Sequence, residues 1–417
     1  MKATAAEPRP ISAPGEPDRL ASLDLIRGVA VLGILIINIR GFSGPWVAYA
    51  NPAAWGDLKG ANYWSWVIPE LFFYLEMQNL FAMLFGVGIW LVMQKPAPAA
   101  TKRLLLRRRN WTLLWFGLAH LVLLWDGDIL HRYALCGFIM VPLSHLGARK
   151  LYGLAALLFL IEPILKAWHF QQISALPADQ FALWREYYWL SSANTNAVVL
   201  GIFRSDWWSI TTYRLADAWY YFRQVTIGQG KLASNAALMC LGMAMMQDGI
   251  PDARRSRRFY WLMGAAGLAF GFPLALWAVV RLGNAHLAAT TGYFKVAFWK
   301  YIADFGLTLA WLAALVLWSR SAACGWLRRA LQACGQLALS NYILQSVICT
   351  TLFYGYGLGL YGRLDRSLQL LIVLAIWILQ LVISPLWLRY FRMGPLECLW
   401  RRISYGQPQP CRLKNQV

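Results

Sequence analysis

Charged residues are scarce in this sequence of 417 residues, in which Asp, Glu, Lys and Arg together make up 14%. A soluble domain carries about 25% charged and about 45–50% apolar residues, whereas 59% of this chain belongs to the hydrophobic set AVILMFWYC. The deficit of charge excludes a soluble globular protein. The apolar stretches recur from Leu23 to Leu388, which also excludes a protein with a single membrane anchor. The composition therefore predicts an integral membrane protein with many spans.

Several sequence patterns of known chemistry are missing as well. The chain has no HExxH motif, no Walker A motif and no GxSxG motif. Its seven cysteines are an odd number without a CxxC spacing, so neither a disulfide framework nor a zinc site is predicted. We expect no bound metal and no permanently bound cofactor.

The long apolar runs predict an all-α fold, a polytopic bundle of transmembrane helices. A hydrocarbon core about 30 Å thick needs about 20 apolar residues per helix, and this length predicts about ten spans. The expected spans are 21–41, 69–94, 110–126, 129–146, 150–169, 231–248, 260–281, 293–318, 336–356 and 367–388.

The basic residues predict the orientation of these spans. The formal net charge is +20, but the Lys and Arg residues lie in short loops, as the positive-inside rule expects, so nucleic acid is not a predicted partner. One set of alternate loops holds clusters such as 102–109 and 254–258, whereas the short loops of the other set hold only Lys59, Arg363 and Arg366. Both termini are therefore predicted to be cytoplasmic.

The same pattern predicts the organisation of the chain. Residues 1–18 form a disordered cytoplasmic tail, 19–169 an N-terminal transmembrane bundle, and 231–406 a C-terminal transmembrane domain. Between the bundles, 170–230 is predicted to be an extracytoplasmic segment rich in Trp and Tyr, with the character of an interfacial amphipathic segment. Residues 407–417 form a second cytoplasmic tail.

A polar stripe follows one face of the first span. Asp24, Arg27 and Asn38 fall within a sector of about 60° on a helix, and charged residues inside a membrane are by default functional. Alternatively, Asp24 and Arg27 pair at i,i+3 and fix the end of the helix. Asn38 lies about 20 Å from Asp24 along the helix, too deep for its side chain to reach the interface.

A second polar cluster follows the third span. His120, Asp126, Asp128, His131 and Arg132 lie within thirteen residues, from 120 to 132, near the predicted outer face. An Asp three residues before a His at the start of a helix can hold the imidazole in one tautomer, as general-base catalysis requires. Alternatively, the two aspartates cap the fourth helix and Arg132 pairs with Asp128.

Four further groups of polar residues are candidates for binding or for structural contacts. Glu76 is deeply placed and needs a cavity or a partner such as Arg132, while Lys300 and Asp304 are spaced as a structural ion pair. Asn341 and Gln345 in span nine bind substrate or, with Ser346 on the same face, make interhelical hydrogen bonds. The basic loop is a candidate phosphate site for a donor, although lipid headgroups explain it equally well; it contains Arg103, Arg107, Arg108 and Arg109.

Motifs at both ends of the chain resemble those of a known family. The opening RLASLDLIRG from Arg19, the internal runs LFAMLFGVGIWL, GDILHRYAL and LMCLGMAM, and the later runs GQLALSNYILQS and FRMGPLECLWRRISYG are similar to the YeiB-like proteins of the bacterial inner membrane. These proteins carry a C-terminal domain of unknown function. The resemblance covers about residues 19–406 and implies a multi-pass protein of the bacterial inner membrane.

This resemblance extends to the transmembrane acyltransferases, which share the LDxxRG opening found here from Leu23 to Gly28. The resemblance implies transfer of an acyl group from cytoplasmic acyl-CoA to an extracytoplasmic acceptor. The large branch of that superfamily has a catalytic His where this chain has Asn38, which leaves His131 or His120 as the base.

In this scheme Arg27 orients the donor, Asp128 positions His131, and Asn38 donates a hydrogen bond to the thioester carbonyl. Two alternatives remain open, a transporter or exporter of a small solute and a structural protein that binds lipid.

Overall fold

A computed structural model describes residues 20–186, 189, 193–283, 291–407 and 410–413. The predicted tail 1–18 lies outside these residues, and so does most of the predicted tail 407–417. The described chain forms eighteen α-helices with a short 3-10 helix at Pro52–Ala54 and a π-helix at Phe222–Gly228. Among the described residues the only β pairing is an isolated bridge between Phe391 and Arg412. The predicted all-α fold is confirmed.

Each of the ten predicted spans falls on one or two of these helices. The helices are α1 Ala21–Ser43, α2 Val47–Ala50, α3 Gly60–Phe72, α4 Glu76–Met93, α5 Ala99–Leu123, α6 Leu130–Leu143, α7 Ala148–Phe159, α8 Ile161–Ser174, α9 Ala178–Arg185, α10 Ala193–Phe203, α11 Trp207–Tyr221, α12 Lys231–Gln247, α13 Arg257–Gly283, α14 Thr291–Ser319, α15 Gly325–Gln336, α16 Ala338–Phe353, α17 Arg366–Leu388 and α18 Pro395–Tyr405.

Six segments of the described chain are long and apolar enough to cross a membrane. They are Ala21–Ser43, Gly60–Met93, Ala148–Ser174, Arg257–Gly283, Tyr293–Ser319 and Arg366–Leu388. Two shorter apolar helices, α6 and α16, lie among them. These helices indicate a multi-pass protein in a lipid bilayer, while the count of ten spans and the side of the termini stay predictions.

Glycines allow two pairs of helices to touch backbone to backbone. A Cβ on Gly28 would lie 1.9 Å from the carbonyl oxygen of Leu331, so α1 packs directly on α15. A Cβ on Gly86 would lie 2.1 Å from the carbonyl oxygen of Met239, so α4 packs equally closely on α12. Small residues give membrane helices this close approach. Both contacts join a helix of the predicted N-terminal transmembrane bundle to a helix of the predicted C-terminal transmembrane domain.

The predicted extracytoplasmic segment is mostly helical, through the end of α8 and through α9, α10 and α11. Asp206 begins α11, because its carboxylate accepts hydrogen bonds from the backbone N–H groups of Trp208 and Ser209. The hydrogen bond that the Ser209 hydroxyl donates, together with these two, holds the pKa of Asp206 below its usual value. Trp208 and Trp219 are 72% and 69% exposed. Exposed tryptophans suit contact with a membrane interface.

The described chain contains one disulfide, although the cysteine spacing predicts no disulfide framework. Cys398 on α18 and Cys411 in the tail form a disulfide, with their Cα atoms 5.9 Å apart. Gly406 ends α18 in the left-handed region, at φ 65°, and the chain then returns so that the backbone N–H of Arg392 donates to the carbonyl of Cys411 at 2.9 Å. This turn brings the two cysteines together, and the spacing of the cysteines in the sequence does not predict it.

Candidate functional site

Two histidines converge on one buried aspartate in the turn between α5 and α6. The Nδ1 atom of His120 lies 2.8 Å from Asp128 Oδ2, and the Nδ1 atom of His131 lies 2.8 Å from Asp128 Oδ1. The backbone N–H of His131 also donates to Asp128 Oδ1 at 2.9 Å. All three side chains are buried. Asp128 therefore accepts a hydrogen bond from a backbone N–H group in the first turn of α6 and holds both imidazoles. Asp126, which the capping alternative also names, accepts from the Trp46 indole instead.

Gly117 makes this arrangement possible. A Cβ at this position of α5 would lie 2.3 Å from the backbone nitrogen of His131 and 2.9 Å from Asp128 Oδ1. Only a residue without a side chain lets α5 approach the start of α6 this closely. The hairpin thereby places His120, near the end of α5, beside His131, near the start of α6.

Ser346 on α16 joins the same cluster. Its hydroxyl lies 2.8 Å from His120 Nε2, on the ring edge opposite Asp128. Ser346, His120 and Asp128 thus form a chain of hydrogen bonds with the connectivity of a Ser-His-Asp triad, which is recognised by geometry and not by sequence position. The sequence places Ser346 on one polar face of span nine with Asn341 and Gln345, but it does not predict the contact with His120, from which 226 positions separate it.

His131 differs from His120 in its second ring nitrogen. His131 Nε2 is buried and makes no hydrogen bond within the described chain. With Nδ1 held by Asp128, the free Nε2 has the form expected of a general base. Arg132 forms no ion pair with Asp128 or with Glu76 among the described residues, so both pairings considered for it are wrong; Glu76 lies beside Asp304 and Lys300 instead.

A cavity of about 220 Å³ lies beside this cluster. Its cationic residues are Arg27 of α1, Arg109 of α5 and Arg401 of α18, with Glu397 beside them. The remaining wall is largely apolar and aromatic; it includes Phe81, Leu84, Phe85, Ile89, Leu106, Leu113, Leu130, Tyr133, Tyr342 and Trp400. The cavity therefore combines a cationic group with an apolar wall.

Arg27 and Arg109 each have a partner that holds the side chain. Arg27 pairs with Asp24 at 2.9 Å, so the predicted i,i+3 pair is formed. The guanidinium of Arg109 lies 4.6 Å from the ring centroid of Trp400, and the Trp400 indole N–H donates to the Arg109 carbonyl at 2.9 Å. Trp400 thereby fixes α18 on α5.

Glu397 anchors α18 on α16. Its carboxylate accepts from the backbone N–H groups of Leu339 and Ser340, at 2.7 and 3.1 Å, and from the Ser340 hydroxyl at 2.5 Å. Burial raises the pKa of Glu397, and these three donors oppose that rise. The carboxyl thereby accepts hydrogen bonds from backbone N–H groups in the first turn of α16, which lack partners within the helix.

Tyr342 connects the cavity with the histidine cluster. It lines the cavity, and its ring centroid lies 5.1 Å from that of His120. Ser346 lies one helical turn further along α16. Leu130 and Tyr133, on either side of His131 and Arg132 in the sequence, also line the cavity. The wall of the cavity and the histidine cluster therefore share α5, α6 and α16.

Other predicted site residues lie elsewhere. Arg103, Arg107 and Arg108 are exposed on α5, outside the cavity. Asn38 is buried on α1, about 16 Å along the helix from Arg27, and does not line the cavity.

Asn341 and Gln345 take part in an interhelical network. Gln345 donates to Gln380 on α17 at 2.9 Å and to the Val31 carbonyl on α1 at 3.2 Å. Asn341 donates to Ser384 at 3.1 Å. Of the two uses considered for this pair, the structure contains the interhelical hydrogen bonds.

A smaller cavity of about 200 Å³ lies between the end of α1 and the start of α17. Arg366 donates to the carbonyl oxygens of Pro52, Asp57 and Trp55 at 2.5, 2.5 and 2.6 Å. A hydrogen bond from Asn62 holds the pKa of the Asp57 carboxyl below its usual value. This cavity contains none of the predicted site residues.

Comparison with known proteins gives the family. A family model described as "Protein of unknown function (DUF418)" matches residues 245–407. The chain is 31% identical to a protein of Escherichia coli (strain K12) described as "Uncharacterized protein YeiB", over 95% of this chain and 99% of that protein. It is 29% identical to "Uncharacterized protein YxaH" of Bacillus subtilis (strain 168), over 96% of this chain and 98% of that protein. No solved structure matches the chain. The chain therefore belongs to the YeiB-like family, as its end motifs predict.

Proposed function

We propose that the protein transfers an acyl group from a cytoplasmic acyl-CoA to an acceptor on the far side of the membrane. One observation carries the proposal: the cavity combines three arginines with an apolar wall that reaches Tyr342, next to the His120–Asp128–His131 cluster. Arginine suits phosphate and carbonyl oxygens, and an apolar wall suits an acyl chain. The resemblance of Leu23–Gly28 to the acyltransferase motif points the same way.

The size of the cavity limits which part of the donor it holds. An apolar cavity of about 150 Å³ accommodates benzene, so about 220 Å³ suits an acyl group with part of its thiol arm. The nucleotide then lies outside, where Arg103, Arg107 and Arg108 are exposed on the same helix as Arg109. In this proposal Arg27 and Arg109 orient the donor, and the three exposed arginines bind its phosphates.

The histidine cluster supplies the acid–base chemistry in this proposal. His131 Nε2 takes the proton of the acceptor hydroxyl or amine as it attacks the thioester carbonyl. Asp128 holds His131 in the required tautomer and stabilises the imidazolium that forms. The thiolate of CoA leaves and takes up the proton. His120, held by Asp128 and Ser346, is a positioning residue.

Binding of the donor is the first prediction. Acyl-CoA should raise the thermal midpoint of the detergent-purified protein in a dose-dependent way, because a ligand that binds only the folded state stabilises it by mass action. Arg27→Ala and Arg109→Ala should each remove most of this rise, because both side chains line the cavity. Arg258→Ala is the matched control, an exposed arginine of α13 that lies outside the cavity, and should keep most of it.

Equal loss of stabilisation in all three variants would indicate nonspecific attraction of phosphate to a basic surface. An unchanged midpoint with acetyl-CoA, longer acyl-CoAs and free CoA would contradict the proposal. The alternative function is then a solute transporter that uses the same intramembrane groups, and flux into proteoliposomes without a covalent product is its test.

Ser346→Ala distinguishes two routes of acyl transfer. With His131 as the base and direct attack by the acceptor, loss of the Ser346 hydroxyl removes only a contact to His120, and we expect a loss of less than about tenfold, or about 1.4 kcal/mol. A complete loss in a folded variant would contradict direct transfer. It would instead indicate an acyl-serine intermediate, which the hydrogen-bond chain from Ser346 to Asp128 can activate. Mass spectrometry of the protein after incubation with acyl-CoA would detect that adduct.

A further inference from the structure

A second group of charged side chains lies buried between α1, α3, α4 and α14. None of its members lines the cavity beside the histidine cluster, and the proposed acyl transfer does not use it. Each member is at most 7% exposed; they are Arg40, Glu70, Glu76, Lys300 and Asp304.

The two cations of this group each have a carboxylate of their own. Arg40 donates to Glu70 at 2.5 Å and also to the Trp66 carbonyl at 3.3 Å. Lys300 donates to Asp304 Oδ1, so the ion pair predicted from their i,i+4 spacing is formed. Glu76 is the third carboxylate facing two cations. The group therefore carries one negative charge too many if all three acids are ionised.

The carboxylate oxygens show where the excess lies. Both oxygens of Glu76 and the Oδ2 atom of Asp304 are buried and accept no hydrogen bond from other described residues. Glu76 lies beside Asp304 and Lys300, so its carboxylate faces another carboxylate. An ionised carboxylate without a donor is very unfavourable in a low-dielectric interior, and such a group takes up a proton instead.

We propose that Glu76 and Asp304 share one proton and form an intramembrane proton-binding site between α4 and α14. Two carboxylates that cannot both ionise at close range hold a proton between them. The shared proton satisfies the oxygens that lack donors and brings the charge of the group to zero. Ionisable residues inside membranes mark proton pathways, so this site provides a step at which a proton can be taken up or released.

Among the described residues that interact electrostatically with Glu76, Lys300 is the only cation, and it already pairs with Asp304. Tyr74 places its ring 5.0 Å from Lys300 Nζ, and Asn79 donates to Thr308 at 3.0 Å. Titratable groups on the other helices that pack on α4 have partners of their own. On α12 and α6, Cys240 contacts Met140, Tyr133 donates to the Gln78 carbonyl, and Arg132 lies beside Asp128. On α5 and α1, Arg109 stacks on Trp400 and Arg40 pairs with Glu70. Tyr293 of α14 is a neighbour of Glu70.

Infrared spectroscopy of the purified full-length protein at neutral pH tests the site. The wild type should show the C=O stretch of a protonated carboxyl, and Glu76→Gln should lose it. Asp304→Asn should lose it as well, because Glu76 and Lys300 then remain as a neutral pair. Glu162→Gln is the matched control: Glu162 is also buried, but Lys166 and Lys231 lie 2.7 and 2.6 Å from its Oε1 atom, so it is ionised and its loss should leave the band unchanged.

Thermal midpoints give a second measure. Glutamine resembles a protonated glutamate, so Glu76→Gln should keep the wild-type midpoint, whereas Glu162→Gln leaves two lysines without their carboxylate and should lower it. Persistence of the carboxyl band in both Glu76→Gln and Asp304→Asn would overturn the proposal. A sodium-specific effect would also overturn it. If NaCl but not choline chloride raised the thermal midpoint of the wild type, and neither salt raised that of Glu76→Gln, a sodium ion would occupy the place of the proton.

Discussion

Asp128→Asn should lower the rate of acyl transfer by about 10⁴-fold, the loss seen when an asparagine replaces the aspartate behind a catalytic histidine. One carboxylate accepts hydrogen bonds from both imidazoles, through Oδ1 and Oδ2. An amide accepts from one ring only and presents its NH₂ group to the other. It also lacks the negative charge that stabilises the imidazolium of His131. Release of CoA from acyl-CoA in proteoliposomes, with an envelope extract as the source of acceptors, measures the rate.

The fold of this variant should persist, because the oxygen of the introduced amide can still accept the hydrogen bond that the backbone N–H of His131 donates to Asp128. Asp126→Asn is the control, two residues away in the same turn. Asp126 accepts a hydrogen bond from the Trp46 indole at 2.7 Å, which an amide oxygen also accepts, and we expect nearly wild-type transfer. Activity of folded Asp128→Asn within tenfold of the wild type would remove the cluster from the mechanism.

Local spacing in the sequence predicts the local part of this site. The Asp128–His131 and Asp24–Arg27 contacts are i,i+3 pairs, and Lys300–Asp304 is an i,i+4 pair, so one helix or its cap determines each. The apolar runs predict where the helices lie for the same reason, since burial in lipid requires about 20 apolar residues in a row. Breaks within these runs are less predictable, and Gly60–Met93 is divided between α3 and α4.

Contacts between distant helices could not be predicted. Ser346 reaches His120 across 226 positions, and Trp400 reaches Arg109 across 291. Such contacts depend on which helices are neighbours. A hydrophobic run does not determine its neighbour, because burial of an apolar side chain against lipid is as favourable as burial against another apolar helix. The expected Glu76–Arg132 pairing is wrong for this reason: α14, with Lys300 and Asp304, lies against that part of α4.

Glycine contacts carry part of that missing information. The runs LFAMLFGVGIWL and LMCLGMAM, both part of the family resemblance, belong to α4 and α12. A Cβ on Gly242 would lie 2.0 Å from the Met83 carbonyl oxygen, and one on Gly86 would lie 2.1 Å from the Met239 carbonyl oxygen. The two helices thus contact each other through reciprocal glycines. The motifs specify a helix pair that supports the cavity, because Leu84, Phe85 and Gly88 on the same helix line it.

Gly86→Ala should therefore destabilise the protein by about 3 kcal/mol, the upper range for overpacking. The new methyl group would meet the backbone of α12, which no side-chain rotation can relieve, so the helices must separate. Gly88→Ala is the matched control on the same helix, since a Cβ there meets nothing within 4 Å. Its midpoint should stay the same or rise, because alanine favours a helix by about 1 kcal/mol over glycine.

Thermal midpoints and size-exclusion profiles of the two variants in the same detergent measure this difference. The comparison separates packing from helix propensity, because both variants make the same chemical change two residues apart. If the thermal midpoint falls in Gly86→Ala but not in Gly88→Ala, the direct contact between α4 and α12 is needed for stability. Equal midpoints would mean that α12 can move away from α4 without loss, and the cavity wall on α4 would then lack the rigid support that binding of a defined acyl group requires.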